Sequence, residues 1–413
     1  MSVPDPTQPP RSTAGVDWAS TDHAVSIVAP DGEQTDRFSI SHDKAGLRTL
    51  VRRLLAAGVA EVGIERPDGP VVDALRGAGL VVYVIPPNQV KNLRSRYGSA
   101  GNKDDRFDAY VLADVVRTDQ RRLRPLLVDA PVTTALRQTV RARRDLVAHR
   151  VAVANQLRAH LQTCFPGAVG LFADIDSAVS MAFLERFTTQ DRADWLSPKR
   201  LAAWLVSVGY SGRTPPETLH DRLRHAPQGA TGPAGDSAAA VTAAFVAVLR
   251  TITAQIEVLA ARISEQLDLH PDTPIFTSLP RSGRVRAARL LAEIGDARGR
   301  FPTPDSLACL AGVAPSTRQS GKVKAVTFRW GADKQLRDAL CDFAGDSRHA
   351  NPWAADLYTR ARARGHDHPH TVRILARAWA NIIWACWSTN TPYDPERHRA
   401  LQRILNQDQP AAA

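Results

Sequence analysis

The chain has 413 residues, of which 44% are hydrophobic, and its 53 Lys+Arg against 42 Asp+Glu give a formal net charge of +11. That length predicts two to four domains, and that much apolar material excludes a wholly disordered chain. No window approaches the ~20 uninterrupted apolar residues of a membrane span, and the first residues lack the apolar core of a signal peptide, so the expectation is a cytoplasmic protein with a polyanionic partner, nucleic acid foremost.

Residues 1–14, rich in Pro, Ser and Thr, read as a disordered tail. From 15 to 127 short apolar runs alternate with helical periods. Ala24 to Val28 reads as a strand closed by Pro30-Asp31-Gly32, Leu47 to Leu55 as a helix, and Val62 to Ile64 as a strand. Val71 to Ala78 reads as a short helix and Leu80 to Ile85 as a further strand. Strands and helices in this order predict an α/β domain. Between 128 and 270, Val140, Val147, Ala154 and Leu161 recur every seven residues, and Phe245, Leu249, Ile252, Ile256, Leu259 and Ile263 keep a 4-3 alternation. Both have the period of long helices packed as an antiparallel coiled-coil pair, within one chain or between two. A 166–236 insertion separates them, helical from Leu201 to Val208 and loop-rich from Gly229 to Gly235. Residues 271–395 read as a mostly helical domain, with helices around Leu290 to Ile294, from Leu307, and from Val372 to Trp387; 396–413 read as a tail.

Chemistry-bearing residues fall in two places. Asp17 stands in Gly15-Val16-Asp17-Trp18, at the start of the first strand, and Glu65 directly follows Val62-Gly63-Ile64. Lys103-Asp104-Asp105-Arg106-Phe107-Asp108-Ala109 opens a helix on which Asp108 shares a face with Asp104 at i,i+4 and with Asp105 at i,i+3; periodicity leaves both open. Several carboxylates brought together suit magnesium, and two divalent ions roughly 4 Å apart are a common device for phosphoryl transfer on nucleic acid. An Asp at a helix start also serves simply as a cap, and Glu65 before Pro67-Asp68-Gly69 also serves as a lead into a turn. The second place is Ser316-Thr317-Arg318-Gln319-Ser320-Gly321-Lys322-Val323-Lys324. Three of the chain's seven lysines, Lys322, Lys324 and Lys334, gather there beside Arg318, Arg329 and Arg337. Serine attacks phosphorus only when its proton is taken and the developing charge is met by cations, so Ser320 is the candidate nucleophile; a solvated turn is the plainer alternative. The four cysteines form no CxxC pair, and His366, His368 and His370 read as a polar loop.

Taken together, GVDWAS, GIERPDG, NKDDRFDAYVLADVVRTD, LRQTVRARRDLVAHRVAVANQLRAHL, LLAEIGD, LACLAGVAPSTRQSGK and TPYDP resemble the one-ten insertion-sequence family of DEDD transposases. These look like RNA-bridge-guided serine recombinases, with pilin-gene invertases as relatives. The resemblance implies a RuvC-like, ribonuclease-H-type first domain whose metal-holding tetrad is Asp17, Glu65, Asp105 and Asp108, the family pattern Lys-x-Asp-x-x-Asp-Ala selecting Asp105 over Asp104. It implies a coiled-coil segment, then a transposase domain with Ser320 as catalytic serine, and Arg318, Lys322 and Lys324 as phosphate-holding candidates. The implied function is a transposase that excises and inserts its own element by Mg²⁺-assisted serine phosphoryl transfer. Its implied partners are element and target DNA and a structured guide RNA, and a homodimer that assembles to a tetramer. Two rivals stand beside it: a RuvC-like nuclease using water, and a non-catalytic nucleic-acid-binding regulator. The chain departs from the family at Pro280-Arg281-Ser282-Gly283, where Pro-Gly-x-Gly is usual, and at Gly321-Lys322, where Gly-Gly is frequent.

Overall fold

In the computed structural model, which describes residues 11–97, 104–321 and 323–407, the chain divides into two units that part between Val128 and Asp129. The first unit opens with β1 (Thr13–Trp18), β2 (Asp22–Val28) and β3 (Gln34–Ser41), an antiparallel meander. There follow α1 (Lys44–Ala56), β4 (Glu61–Ile64), α2 (Pro70–Gly77), β5 (Val81–Val84), α3 (Pro87–Arg94) and α4 (Asp105–Asp119). The sheet order is β3-β2-β1-β4-β5, with β4 parallel to β1 and β5 parallel to β4. Strands β1 and β4 occupy the middle, and Ala14, Val16, Val62 and Ile64 are fully buried, as central strands covered on both faces require. The edge strand β3 is largely exposed apart from Ile40.

Two expectations are corrected here. Thr13 and Ala14, placed in the tail, belong to β1 and are buried. Asp17 sits near the end of that strand rather than at the start of one, and Ala24 to Val28 lies in the second strand.

Glycine at two paired positions decides where α4 lies. Gly15 and Gly63 are register partners across β1 and β4. A Cβ on Gly15 would run into the Ala109 carbonyl and the Ala113 amide, and one on Gly63 would meet the Leu112 carbonyl at 2.7 Å. The helix backbone therefore rests directly on the sheet, and Thr13 Oγ1 donates to the Ala113 carbonyl at 2.9 Å.

The second unit is helical apart from one ribbon. It comprises α5 (Pro131–Cys164), α6 (Ala178–Arg186), α7 (Gln190–Asp194), α8 (Pro198–Ser207), α9 (Pro216–His225), α10 (Gly232–Asp268), α11 (Thr273–Thr277), α12 (Gly283–Ile294) and α13 (Pro304–Leu310). The ribbon is β6 (Ser316–Ser320) with β7 (Val323–Thr327), followed by α14 (Lys334–Ser347), α15 (Pro352–Ala363), α16 (His368–Thr389) and α17 (Arg399–Gln407). The long helices α5 and α10 pack antiparallel within the chain, and their two ends enter two cores. Leu157 and Leu161 meet Val246 and Leu249 in a core completed by α6 to α9, where Phe165, Phe183, Phe187 and Trp204 cluster. Leu136 and Val140 meet Ile263 and Leu267 in the core of α11 to α16 around Trp379 and Trp387. By length and mean hydropathy α10 is the one helix among the described residues that could cross a membrane; its Val246, Leu249, Ile263 and Leu267 are spent in these two cores.

The start of α5 is anchored by charge. Asp129 accepts from the Asp296 and Ala297 amides and pairs with Arg137 and Arg300, and Arg141 grips Glu293 with two hydrogen bonds of 2.9 and 2.7 Å.

Four boundaries differ from expectation. Helix α10 already begins at Gly232 inside the stretch read as loop, and Leu307 to Leu310 closes α13 instead of opening a helix. His368 and His370 lie in the first turn of α16, where Asp367 caps the His370 amide. The 396–413 segment read as a tail contains α17, and its Leu401 is buried.

Candidate active site

Parallel pairing of β1 with β4 brings Val16 opposite Ile64, so the residues that follow, Asp17 and Glu65, leave the same edge of the sheet side by side. Close seating of α4 on Gly15 and Gly63 delivers its first turn to that edge. The outcome is a cleft of about 390 Å³ lined by Asp17, Trp18, Glu65, Asn88, Lys91, Arg94, Asp105 and Asp108. Asp17, Asp105 and Asp108 each present a carboxylate oxygen, and these atoms lie within 4.8 Å of one another; Glu65 stands in the lining of the same cleft, outside that cluster. Asp104 is elsewhere employed: it is the N-cap of α4, accepting from the Arg106 amide at 3.0 Å.

Three converging carboxylates with only oxygen donors make a set that fits a hard divalent cation. Like charges this close repel, and part of that repulsion is met from α3. Arg94 donates from Nε and Nη2 to the two carboxylate oxygens of Asp108, which is 2% exposed. Sequence reasoning missed Arg94 and Lys91; their spacing from the acids carries no signal, because α3 and the first turn of α4 meet only in three dimensions. Behind the cleft, the Tyr97 hydroxyl donates to Asp114 at 2.6 Å, and burial together with that carboxylate pushes the phenol's pKa up. His23, paired across the sheet with Trp18, accepts the Ala19 amide on Nδ1 and meets His42 at 2.8 Å. Burial first, and the charge of His42 second, hold its pKa below the ordinary histidine value, and the ring ties the turn after Asp17.

Ser320 lies in the second unit, at the tip of the β6–β7 ribbon. It is exposed, and it pairs with Val323 across a two-residue turn. Gly321 takes φ 54°, the left-handed geometry such a turn needs. Side chains alternate along a strand, so Arg318 shares the Ser320 face, while Gln319 and its partner Lys324 point to the other. Lys322 lies outside the described residues. The ribbon itself, absent from the sequence reading, had a faint signal: Val323, Val326 and Thr327 are β-branched and come shortly after Ser320-Gly321.

Residues 14–166 match a family of DEDD-type transposases named for IS110, and residues 273–359 match the transposase IS116/IS110/IS902 family. The mini-circle protein of IS117 from Streptomyces coelicolor is 32% identical over 399 residues, covering 93% of this chain and 95% of its own. The chain belongs to the IS110/IS116 transposase family. The 43.6 kDa protein of insertion element IS110, also from Streptomyces coelicolor, is 28% identical over 92% of this chain and 95% of its own. Among solved structures, T. thermophilus RuvC in complex with a Holliday junction substrate matches 28% of this chain and 99% of its own, at 17% identity and a TM-score of 0.24. As an IS110/IS116 transposase the chain is a DNA-processing enzyme, and DNA is its partner. DEDD-type transposases use divalent metal ions, and the cluster of Asp17, Asp105 and Asp108 is an acidic group of the kind that holds one.

Proposed function

We propose that this IS110/IS116 transposase excises and inserts its own insertion sequence by site-specific recombination through serine phosphoryl transfer. The observation that carries the reading is the convergence of Asp17, Asp105 and Asp108, drawn from a strand end and a later helix into one cleft with Glu65. The first unit is then a RuvC-like, ribonuclease-H-type domain, a reading favoured by its β3-β2-β1-β4-β5 order with an antiparallel meander and two parallel strands.

Asp17, Asp105 and Asp108, with Glu65 beside them, are the residues to hold Mg²⁺. When bound, the ion supplies charge neutralisation at the phosphoryl oxygens. Ser320 Oγ loses its proton and bonds to phosphorus while one P–O bond of the DNA strand breaks, and the released deoxyribose oxygen takes up a proton. Attack by a new strand's hydroxyl reverses this, freeing the serine and joining the strands. Arg318, on the same ribbon face, meets a non-bridging oxygen; Lys322 and Lys324 hold neighbouring phosphates. Resemblance to the family adds a structured RNA pairing with element and target DNA, a homodimer assembling to a tetramer on DNA, kinship with pilin-gene invertases and a cytoplasmic setting.

A RuvC-like nuclease that uses water is the second reading, favoured by the carboxylates and Ser320 belonging to different units. The assay that separates the two incubates the full chain with element-end DNA, the flanking noncoding RNA and Mg²⁺, and follows covalent protein–DNA adduct and joined products. Ser320→Ala is expected to abolish both. Cleavage by Ser320→Ala at the wild-type rate, without joining, would establish the hydrolytic reading instead.

A further inference from the structure

Trp330 is a feature that the transfer chemistry above does not use. It lies three residues beyond the end of β7 and is 83% exposed. An indole so exposed forgoes the burial that large aromatic side chains ordinarily gain. Its setting is nevertheless ordered. Phe328 stands edge-on to Trp330, with ring centroids 4.9 Å apart and an interplanar angle of 82°. Phe328 is itself held by two guanidinium groups, Arg337 at 4.6 Å and Arg373 at 4.9 Å from its ring centre. Arg337 is fixed in turn by donating to the Arg329 carbonyl at 2.8 Å. The following residue, Gly331, puts no side chain beside the indole.

Charge identifies the partner. Between Ser316 and Arg337 the chain carries six Lys or Arg and one acid, Asp333. That acid is occupied in capping α14, accepting from the Gln335 and Leu336 amides. An exposed, braced aromatic ring within a strongly cationic patch is the arrangement that stacks an unpaired base while cations follow the phosphates. A protein partner of mixed charge would have to leave these cations unmatched.

We propose that Trp330 is a stacking platform for one unpaired base of the DNA strand being processed. The proposal rests on the transposase reading, and it adds a contact that reading does not contain. Four residue steps separate the Ser320 tip from the Thr327 end of the ribbon, roughly 13 Å at the usual strand rise. Trp330 follows that end by three residues, so the stacked base is set apart from the phosphate that Ser320 attacks.

The test uses the full-length chain and 2-aminopurine-containing DNA as single strand and as fully paired duplex, with an RNA oligonucleotide of the same sequence alongside. Wild type is expected to quench 2-aminopurine in the single strand. Trp330→Ala is expected to lose that quenching and to weaken single-strand binding about tenfold, the size of one lost base stack, with duplex binding changed less than about twofold, the loss being confined to the unpaired base. Trp330→Phe, which keeps a ring, is expected to retain most of both. Single-strand DNA affinity and quenching unchanged in Trp330→Ala would overturn the proposal. An effect confined to the RNA would overturn it in favour of an RNA contact, and a change confined to self-association would overturn it in favour of a second copy. Should wild type bind none of the DNA probes, the DNA-processing reading beneath it fails as well, an outcome distinct from the others.

Discussion

Arg94 and a divalent cation seek the same carboxylate. Asp108 is almost wholly buried, so an ionised side chain there needs a compensating charge, and Arg94 supplies it through two hydrogen bonds. Removing the arginine leaves that carboxylate buried without its partner. Arg94→Gln is accordingly expected to lower the stability of the first unit by about 3 kcal/mol in a chelator. Added Mg²⁺ should raise the variant's melting temperature more than the wild type's, since the ion then has no competitor; equal Mg²⁺ shifts in thermal denaturation would count against this competition. The acids were legible one by one in the sequence, Glu65 directly after Ile64, Asp105 and Asp108 at a helix start, and Asp17 beside a strand, though read at its start where the fold has it near the end. Arg94 was not, since nothing local distinguishes it from its neighbours Lys91 and Arg96. Asp104 against Asp105 was undecidable from periodicity, and the cap hydrogen bond to Arg106 shows what Asp104 does instead.

The element that matters most to the cleft is α4, and its position depends on two absent side chains. An alanine at Gly15 would place its methyl inside the helix backbone, at Ala109 and Ala113, where no flexible side chain can yield. Overpacking of this kind costs ~1–3 kcal/mol where the core can adjust, and a backbone collision puts Gly15→Ala at or above the upper end. The same shift would move Asp105 and Asp108 away from Asp17. The expected outcome is a lower melting temperature together with weaker Mg²⁺ binding by calorimetry; an unaltered Mg²⁺ affinity would show that the cleft does not depend on this seating. In the first unit β2, α1, β4, α2, β5 and α4 could be read from apolar runs and turns, whereas β3 and α3, which bury little beyond Ile40 and Val90, were not read; nor was the sheet order, because pairing of β4 with β1 instead of β3 is a non-local choice. The long helices α5 and α10 were legible from their period. That they close on each other within one chain was not, as the same seam serves either arrangement. The β6–β7 ribbon carried only a weak signal: Val326 and Thr327 favour a strand, but Thr317, Arg318, Gln319 and Lys324 are exposed and mark no buried face.

At the scale of the molecule, the net charge of +11 conceals an internal division. The first unit gathers carboxylates into its cleft, while the second carries the cationic ribbon and Ser320. A polyanionic substrate approaching this basic chain meets an acidic cleft, and an oxygen-lined acidic cleft within a DNA-processing enzyme is where a metal belongs. On the proposed mechanism Ser320 becomes covalently joined to DNA in a reaction that needs those carboxylates. The most direct measurement is mass spectrometry of the wild-type chain after reaction with element-end DNA, its flanking RNA and Mg²⁺, followed by nuclease and protease digestion. The expected product is a nucleotide-modified peptide with the phosphoester on Ser320, absent with a chelator and absent in Asp17→Ala. Strand cleavage with no modified serine, or a nucleotide carried by another residue, would contradict it.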